Sequence, residues 1–225
     1  MYLANNSRPD IAHAVHACAR FTHNPKKSHA TAVKHILRYL KGTQDKGMLL
    51  RPNNLQELNC YVDSDFAGNY KSFPDQDPTS VKSRTGYVIL YQGCPTLWVS
   101  KMQTQCALST MESEYIALSQ SMRDLIPFLD YIQEMDDIFD QTTDLPNVHC
   151  SLFEDNNGAL ELAKTPRYRP RTKHIAVKYH HFRSHVKSGR IKILPIDTRE
   201  QIADQFTKGL STDTFRYLRF QLLGW

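Results

Sequence analysis

Acidic residues recur in this chain at positions where they can gather around a metal ion. Asp63 and Asp65 lie in Leu58 to Phe66, a run that reads as a strand, and Asp155 directly follows Val148 to Phe153, which reads as another. Glu112 and Glu114 open a long helical pattern carrying Met111, Tyr115, Leu118 and Met122, while Asp204 lies in the final helical pattern. In mixed α/β sheets, ligands collect at the carboxyl ends of strands. Three or four carboxylates in one place repel one another unless cations neutralise them, and hard oxygen donors suit Mg²⁺ or Mn²⁺. Two such ions about 4 Å apart can activate a water and stabilise a leaving oxygen in phosphodiester hydrolysis. Each acid also has a plainer role, Asp155 as the cap of the helix that follows it and Glu114 as a solvated helix charge.

The basic residues are segregated. Ten of them fall between Lys164 and Lys192, a stretch of 29 residues with no Asp or Glu. The other 196 residues hold 18 basic and 23 acidic groups, so the overall net charge of +5 divides into +10 and −5. A concentrated polycation favours a polyanion, because neutralising phosphates with Lys and Arg releases counterions. Arg167, Arg169, Arg171, Lys173, His174 and Lys178 are the candidate nucleic-acid contacts, and Tyr168, Tyr179 and Phe182 are interleaved with them. The bland counterpart is a solvated basic loop.

The elements that must position these groups follow from periodicity. Asp10 to Phe21 and Ala32 to Leu40 carry apolar residues at helical spacing, with Ser7 and Ser28 as caps, Asn24-Pro25 between them and Gly42 at the end. They predict a helical hairpin over residues 1–50. Strands follow at 58–66, 86–91 and 96–100, the last two joined by a turn at Gln92 to Pro95. After the long helix, which Pro127 divides, come a strand at 148–153, a short helix, the basic segment with a helical portion over 175–186, and a fifth strand at 191–196. Thr198 caps a last helix with Ile202, Ala203 and Phe206 on one side. Three meandering strands followed by strand–helix alternation imply a mixed sheet with helices on its faces.

Composition closes off other classes. The chain has 225 residues, 40% hydrophobic and 23% charged, which suits a globular fold and argues against disorder. No apolar run approaches the roughly 20 residues of a spanning helix, and Met1 to Asn6 lack the pattern of a signal peptide. Five scattered cysteines contain no C-x-x-C pair, as in an intracellular protein with reduced thiols.

Several runs carry a family resemblance. They are Tyr61-Val62-Asp63-Ser64-Asp65-Phe66-Ala67-Gly68, Ser83-Arg84-Thr85-Gly86-Tyr87, Trp98-Val99-Ser100-Lys101, Ser109 to Leu118, Glu154-Asp155-Asn156, Lys173-His174-Ile175 and Ile202-Ala203-Asp204. In this order, over about residues 58–210, they resemble the ribonuclease H region of copia-type retrotransposon Pol polyproteins. Ser7 to Ile11 and Tyr39 to Thr43 are similar to the segment that follows the reverse transcriptase palm in that family. The resemblance implies a ribonuclease H-like, five-stranded mixed sheet flanked by helices and preceded by a helical hairpin. It divides the chain into that hairpin (1–50), the ribonuclease H-like domain (55–212) and a C-terminal tail (213–225). It also assigns the catalytic, metal-binding carboxylates to Asp63, Glu114, Asp155 and Asp204. Asp65 competes with Asp63 and Glu112 with Glu114; residues two apart on a helix point about 200° apart, so one glutamate of that pair faces the site.

The implied activity is cleavage of the RNA strand of RNA–DNA hybrids by two Mg²⁺ ions, Mn²⁺ being the alternative metal. Its partners would be the hybrid and the palm and fingers of the parent polymerase, with no membrane, in the cytoplasm, a virus-like particle or the nucleus. The competing reading is a truncated, inactive fragment that only binds nucleic acid or protein. Tyr61-Val62-Asp63-Ser64-Asp65 differs from the polymerase Tyr-Val-Asp-Asp turn in that its aspartates are not adjacent. His181 and His185 sit four apart without the glutamate of H-E-x-x-H and amid positive charge, which disfavours zinc.

Overall fold

Leu58, Cys60 and Val62 alternate with Asn59, Tyr61 and Asp63, and this period of two makes Glu57–Asp65 a strand, β1, with two differently used faces. The computed structural model describes residues 1–53, 55–70, 80–139, 148–164 and 180–225. Around β1 lie β2 (Arg84–Tyr91), β3 (Cys94–Met102), β4 (His149–Glu154) and β5 (Ile191–Pro195), in the spatial order β3-β2-β1-β4-β5. The β1–β2 and β2–β3 pairs are antiparallel, whereas β1–β4 and β4–β5 are parallel. This is the five-stranded mixed sheet flanked by helices that the order of elements implies.

One face of the sheet is covered by α4 (Thr110–Phe139) and α5 (Asn157–Lys164). Leu58, Cys60, Val62, Ile89 and Leu152 pack there against Tyr115, Leu118, Met122, Leu125 and Leu129, which recur at helical spacing. The second face is covered by both ends of the chain. Helices α1 (Tyr2–Asn6), α2 (Ala12–Ala19) and α3 (Lys27–Gly42) come from the start. From the end come α7 (Asp204–Thr207) and α8 (Thr212–Leu223), α6 being Arg183–Lys187 beside β5. Val88 and Leu90 meet Ala12, Ile202, Phe206, Leu222 and Leu223 in that second core.

Polar locks hold the two ends together. Arg8 Nε and Nη2 donate to both oxygens of Asp10 at 3.0 and 2.8 Å, in a buried bidentate pair. Tyr39 donates to the same carboxylate and accepts from Arg219 of α8 at 3.2 Å. Arg219 lies 3.9 Å from the ring centre of Trp225, and Trp98 of β3 donates to the Ala4 carbonyl at 2.7 Å.

Some boundaries depart from expectation for local reasons. Gln92 and Gly93 take positive φ (51° and 78°), so a tight turn suffices and β3 starts at Cys94. Pro95 is accommodated because β3 is an edge strand with a register shift opposite Ile89 and Leu90. Helix α3 starts at Lys27 rather than after Ser28, and the Lys26 N–H donates to His29 Nδ1 at 3.1 Å. Helix α4 runs unbroken through Pro127. The last helix is interrupted: a 3-10 turn at Thr198–Glu200 is separated from α7 by Gln201 in extended backbone. Gln201 is buried, and its amide donates to the Val62 carbonyl at 2.9 Å, which anchors the break to β1. Among the described residues no helix is long and apolar enough to cross a membrane.

Candidate active site

Because β1 and β4 are parallel neighbours, their carboxyl ends lie side by side. Asp63, near the end of β1, and Asp155, directly after β4, therefore share one edge of the sheet. Ser109 caps α4 by accepting the Glu112 N–H at 3.2 Å, which sets the helix so that Glu114 meets the two aspartates. One carboxylate oxygen from each of Asp63, Glu114 and Asp155 lies within 4.8 Å of the others. Glu112 is turned to the helix start, where it accepts the Leu108 N–H at 2.8 Å. Asp65 packs against Gly68 in the turn after β1. The cap of α5 is Asn156, whose Oδ1 accepts the Ala159 N–H at 3.1 Å, so Asp155 is not used for that purpose.

Asp204 is linked to Asp63 through a lysine. Lys208 Nζ lies 2.8 Å from Asp204 and 3.8 Å from Asp63. Two hydroxyls orient the aspartates: Thr207 donates to Asp63, and Thr198 donates to Asp155 at 2.8 Å. Sequence reasoning missed these groups and also Glu154, a fully buried acid at the end of β4. A usable signal existed for two of them. Glu154 shares the parity of the inward-facing Cys150 and Leu152, and Lys208 is one helical turn past Asp204.

The acids perturb one another. Burial, then the charges of Glu154, Asp63 and Asp155, push Glu114 well above the usual carboxylate range. Burial does the same to Glu154, with Asp155 and Asp63 adding to it. Burial raises Asp63 against the opposing pull of Lys208 and Thr207. Burial and Asp63 push Asp204 up to about 7. Burial opposes the charge on Lys208, yet Asp63 and Asp204 raise its pKa overall.

A stability trend follows. Folded Asp204 still holds a proton at pH values where the unfolded carboxyl, with its ordinary value of 3.8, has released it. The folded state then binds more protons than the unfolded one, and stability falls as pH rises from about 4 through about 7. The expected result is a melting temperature in chelator at least about 2–4 °C lower at pH 8 than at pH 5, corresponding to about 1 kcal/mol. A divalent cation restores it at pH 8. Thermal melts in the four conditions check this, and a metal-free melting temperature that climbs between pH 5 and 8 contradicts it.

The donor set fits a divalent cation. Glu114 Oε2 and Glu154 Oε2 are buried without a hydrogen-bond partner among the described residues. Glu114 is itself one of the three carboxylates, with Asp63 and Asp155, whose hard oxygens lie within 4.8 Å of one another.

The candidate nucleic-acid contacts Arg167, Arg169, Arg171, Lys173, His174 and Lys178 lie outside the described residues. The described end of the basic segment is tied to α4 next to Glu114. Arg183 Nε donates to Tyr115 Oη at 3.0 Å and its Nη2 donates to the Leu162 carbonyl at 2.8 Å. His180 is hydrogen-bonded to Tyr115 at 2.6 Å, and burial, helped by Arg183, lowers its pKa to about 4. It is a neutral packing group at pH 7.

No protein-family model matches the chain. It is 37% identical over 224 residues to the retrovirus-related Pol polyprotein from transposon TNT 1-94 of Nicotiana tabacum, covering 100% of this chain and 16% of that protein. It is 34% identical over 210 residues to the retrovirus-related Pol polyprotein from transposon RE1 of Arabidopsis thaliana, covering 93% of this chain and 13% of that one. The chain thus spans only a small part, 16% and 13%, of these relatives. A solved structure of LC11-RNase H1 in complex with an RNA/DNA hybrid is similar over 67% of this chain and 93% of that one, at 16% identity and a TM-score of 0.40.

Proposed function

The chain is a homologue of the Pol polyproteins of copia-type transposons, and from that kinship we propose that it is a ribonuclease H-type endonuclease acting in retrotransposon replication. Its substrate is the RNA strand of an RNA–DNA hybrid. The observation that carries this reading is the carboxylate trio at the ends of β1 and β4, with its orphaned, buried Glu114 oxygen.

Asp63, Glu114 and Asp155 hold divalent cations, Mg²⁺ or Mn²⁺, and Asp204 completes the set beside Asp63. Such ions, when bound, lower the pKa of an attacking water and stabilise a departing 3′ oxygen. The hydroxyls of Thr207 and Thr198 restrain the rotation of Asp63 and Asp155, so these carboxylates are oriented before substrate arrives. Burial of Asp63, Glu114 and Asp204 keeps bulk water off the anionic oxygens. The basic segment grips the hybrid backbone, and its described end is anchored to α4 through Arg183 and Tyr115. Strand choice rests on contacts with the 2′-hydroxyl, the group that distinguishes RNA from DNA.

The test is incubation of the purified chain with end-labelled hybrid in Mg²⁺, in Mn²⁺ and in chelator. RNA fragments with 5′-phosphates and 3′-hydroxyls are expected in either metal and none in chelator. A folded chain that cuts in neither metal removes the proposal. Salt-sensitive hybrid binding without cleavage assigns the chain instead to a binding module.

A further inference from the structure

Asp63 takes part in two groupings of charged side chains at the site. In one, Asp63, Glu114 and Asp155 converge with no basic side chain ion-paired to Glu114 or Asp155 among the described residues. In the other, the Lys208 ammonium bridges Asp63 and Asp204, whose side chains are only 4% and 6% exposed. The position of Lys208 is set by the fold, since its backbone N–H donates to the Asp204 carbonyl at 3.2 Å and closes the end of α7. Its side chain is 38% exposed, so the ammonium has a way out. Lys208 also lines a cavity of about 260 Å³ with His13, Tyr39, Gln205 and Phe215, which is the space open to a displaced side chain.

We propose that Lys208 is a tethered cation occupying the place between Asp63 and Asp204, so that one divalent ion enters freely and a second must displace the ammonium. This rests on the nuclease reading above and deepens it. An ammonium at 2.8 Å from a buried carboxylate supplies the same sign of charge that a divalent ion would bring, and the two cannot share the position. The arrangement keeps Asp63 and Asp204 together in the metal-free protein. It also makes uptake of the second ion depend on its concentration more weakly held than the first.

The experiment is a Mn²⁺ titration of the whole chain without substrate, followed by calorimetry and by the spin-resonance signal of free Mn²⁺. The parent is expected to show a tight step and a separate weak step. In Lys208→Met the weak step tightens about 10-fold or more, because nothing has to be displaced. Lys208→Gln keeps a hydrogen-bonding group without the charge, serves if the Met variant fails to fold, and gives the same tightening. Lys208→Arg retains the charge and leaves the second step weak. A second step unchanged within twofold in both neutral variants overturns the proposal, as does equal tightening in Lys208→Arg. The titration reads binding alone, so a chain that binds Mn²⁺ in these steps yet does not cut hybrid keeps this inference and loses the nuclease reading. Absence of any Mn²⁺ binding removes both.

Discussion

Asp63→Asn lowers hybrid cleavage about 10³-fold, about 4 kcal/mol of barrier, while making the metal-free protein more stable. The two effects have one cause. Asp63 is the carboxylate shared by both groupings, within 4.8 Å of Glu114 and Asp155 oxygens and beside Lys208 and Asp204. The amide cannot supply the anionic oxygen that a hard cation requires. In chelator, however, the same charge is a liability, since it pushes up Glu114 and Asp204 and is itself pushed up by burial. Asparagine keeps the shape and still accepts from the Thr207 hydroxyl, and Lys208 retains Asp204. A rise of about 2–4 °C in the metal-free melting temperature at pH 8 is expected, for about 1 kcal/mol of relieved repulsion. Initial cleavage rates and melts on the same preparations decide it. Activity within tenfold of the parent, or lost activity with an equal loss of metal-free stability, counts against the site.

Gly86→Ala is the second large effect, at a position with no chemistry of its own. Gly86 pairs with Asp63 across β1 and β2, and α7 lies directly over it. A Cβ at residue 86 would stand 2.6 Å from Thr207 Cγ2, 2.7 Å from Phe206 Cβ and 3.1 Å from the Ala203 carbonyl. Two of those atoms are backbone or Cβ and cannot rotate away, so α7 itself must lift. A shift of about 1 Å carries Asp204 and the Thr207 hydroxyl off Asp63, and misplacement on that scale costs about 10² in rate. Overpacking adds about 1–3 kcal/mol of destabilisation. Gly42→Ala, where nothing lies within 4 Å of the added carbon, is the control and leaves cleavage unchanged. Parent-like kcat and melting temperature for Gly86→Ala would show that α7 does not set the site.

Much of this was legible in the order of residues. Alternation in Leu58 to Val62 and the helical recurrence of Tyr115, Leu118 and Met122 are local patterns, and local patterns survive translation into strands and helices. The C-terminal residues were harder, because Leu222 and Leu223 are apolar for the sake of a sheet face made more than a hundred residues earlier. They close a helix, α8, in the stretch expected as a C-terminal tail. The basic segment shows the limit from the other side: its charge is plain from composition, while its candidate contacts lie outside the described residues.

Residue types and spacing by themselves gave the mixed sheet with helices on its faces, whereas the nomination of Asp63, Glu114, Asp155 and Asp204 came from the family resemblance of the runs that carry them. Only the tertiary structure separated Glu114 from Glu112, by turning one toward Asp63 and giving the other the Leu108 N–H. It placed Glu154 and Lys208 among these acids, and it alone revealed the Thr207 hydroxyl, which reaches Asp63 across 144 residues of chain. The physical reason is that periodicity is encoded between near neighbours, whereas the partner that neutralises a buried charge is chosen by packing through space.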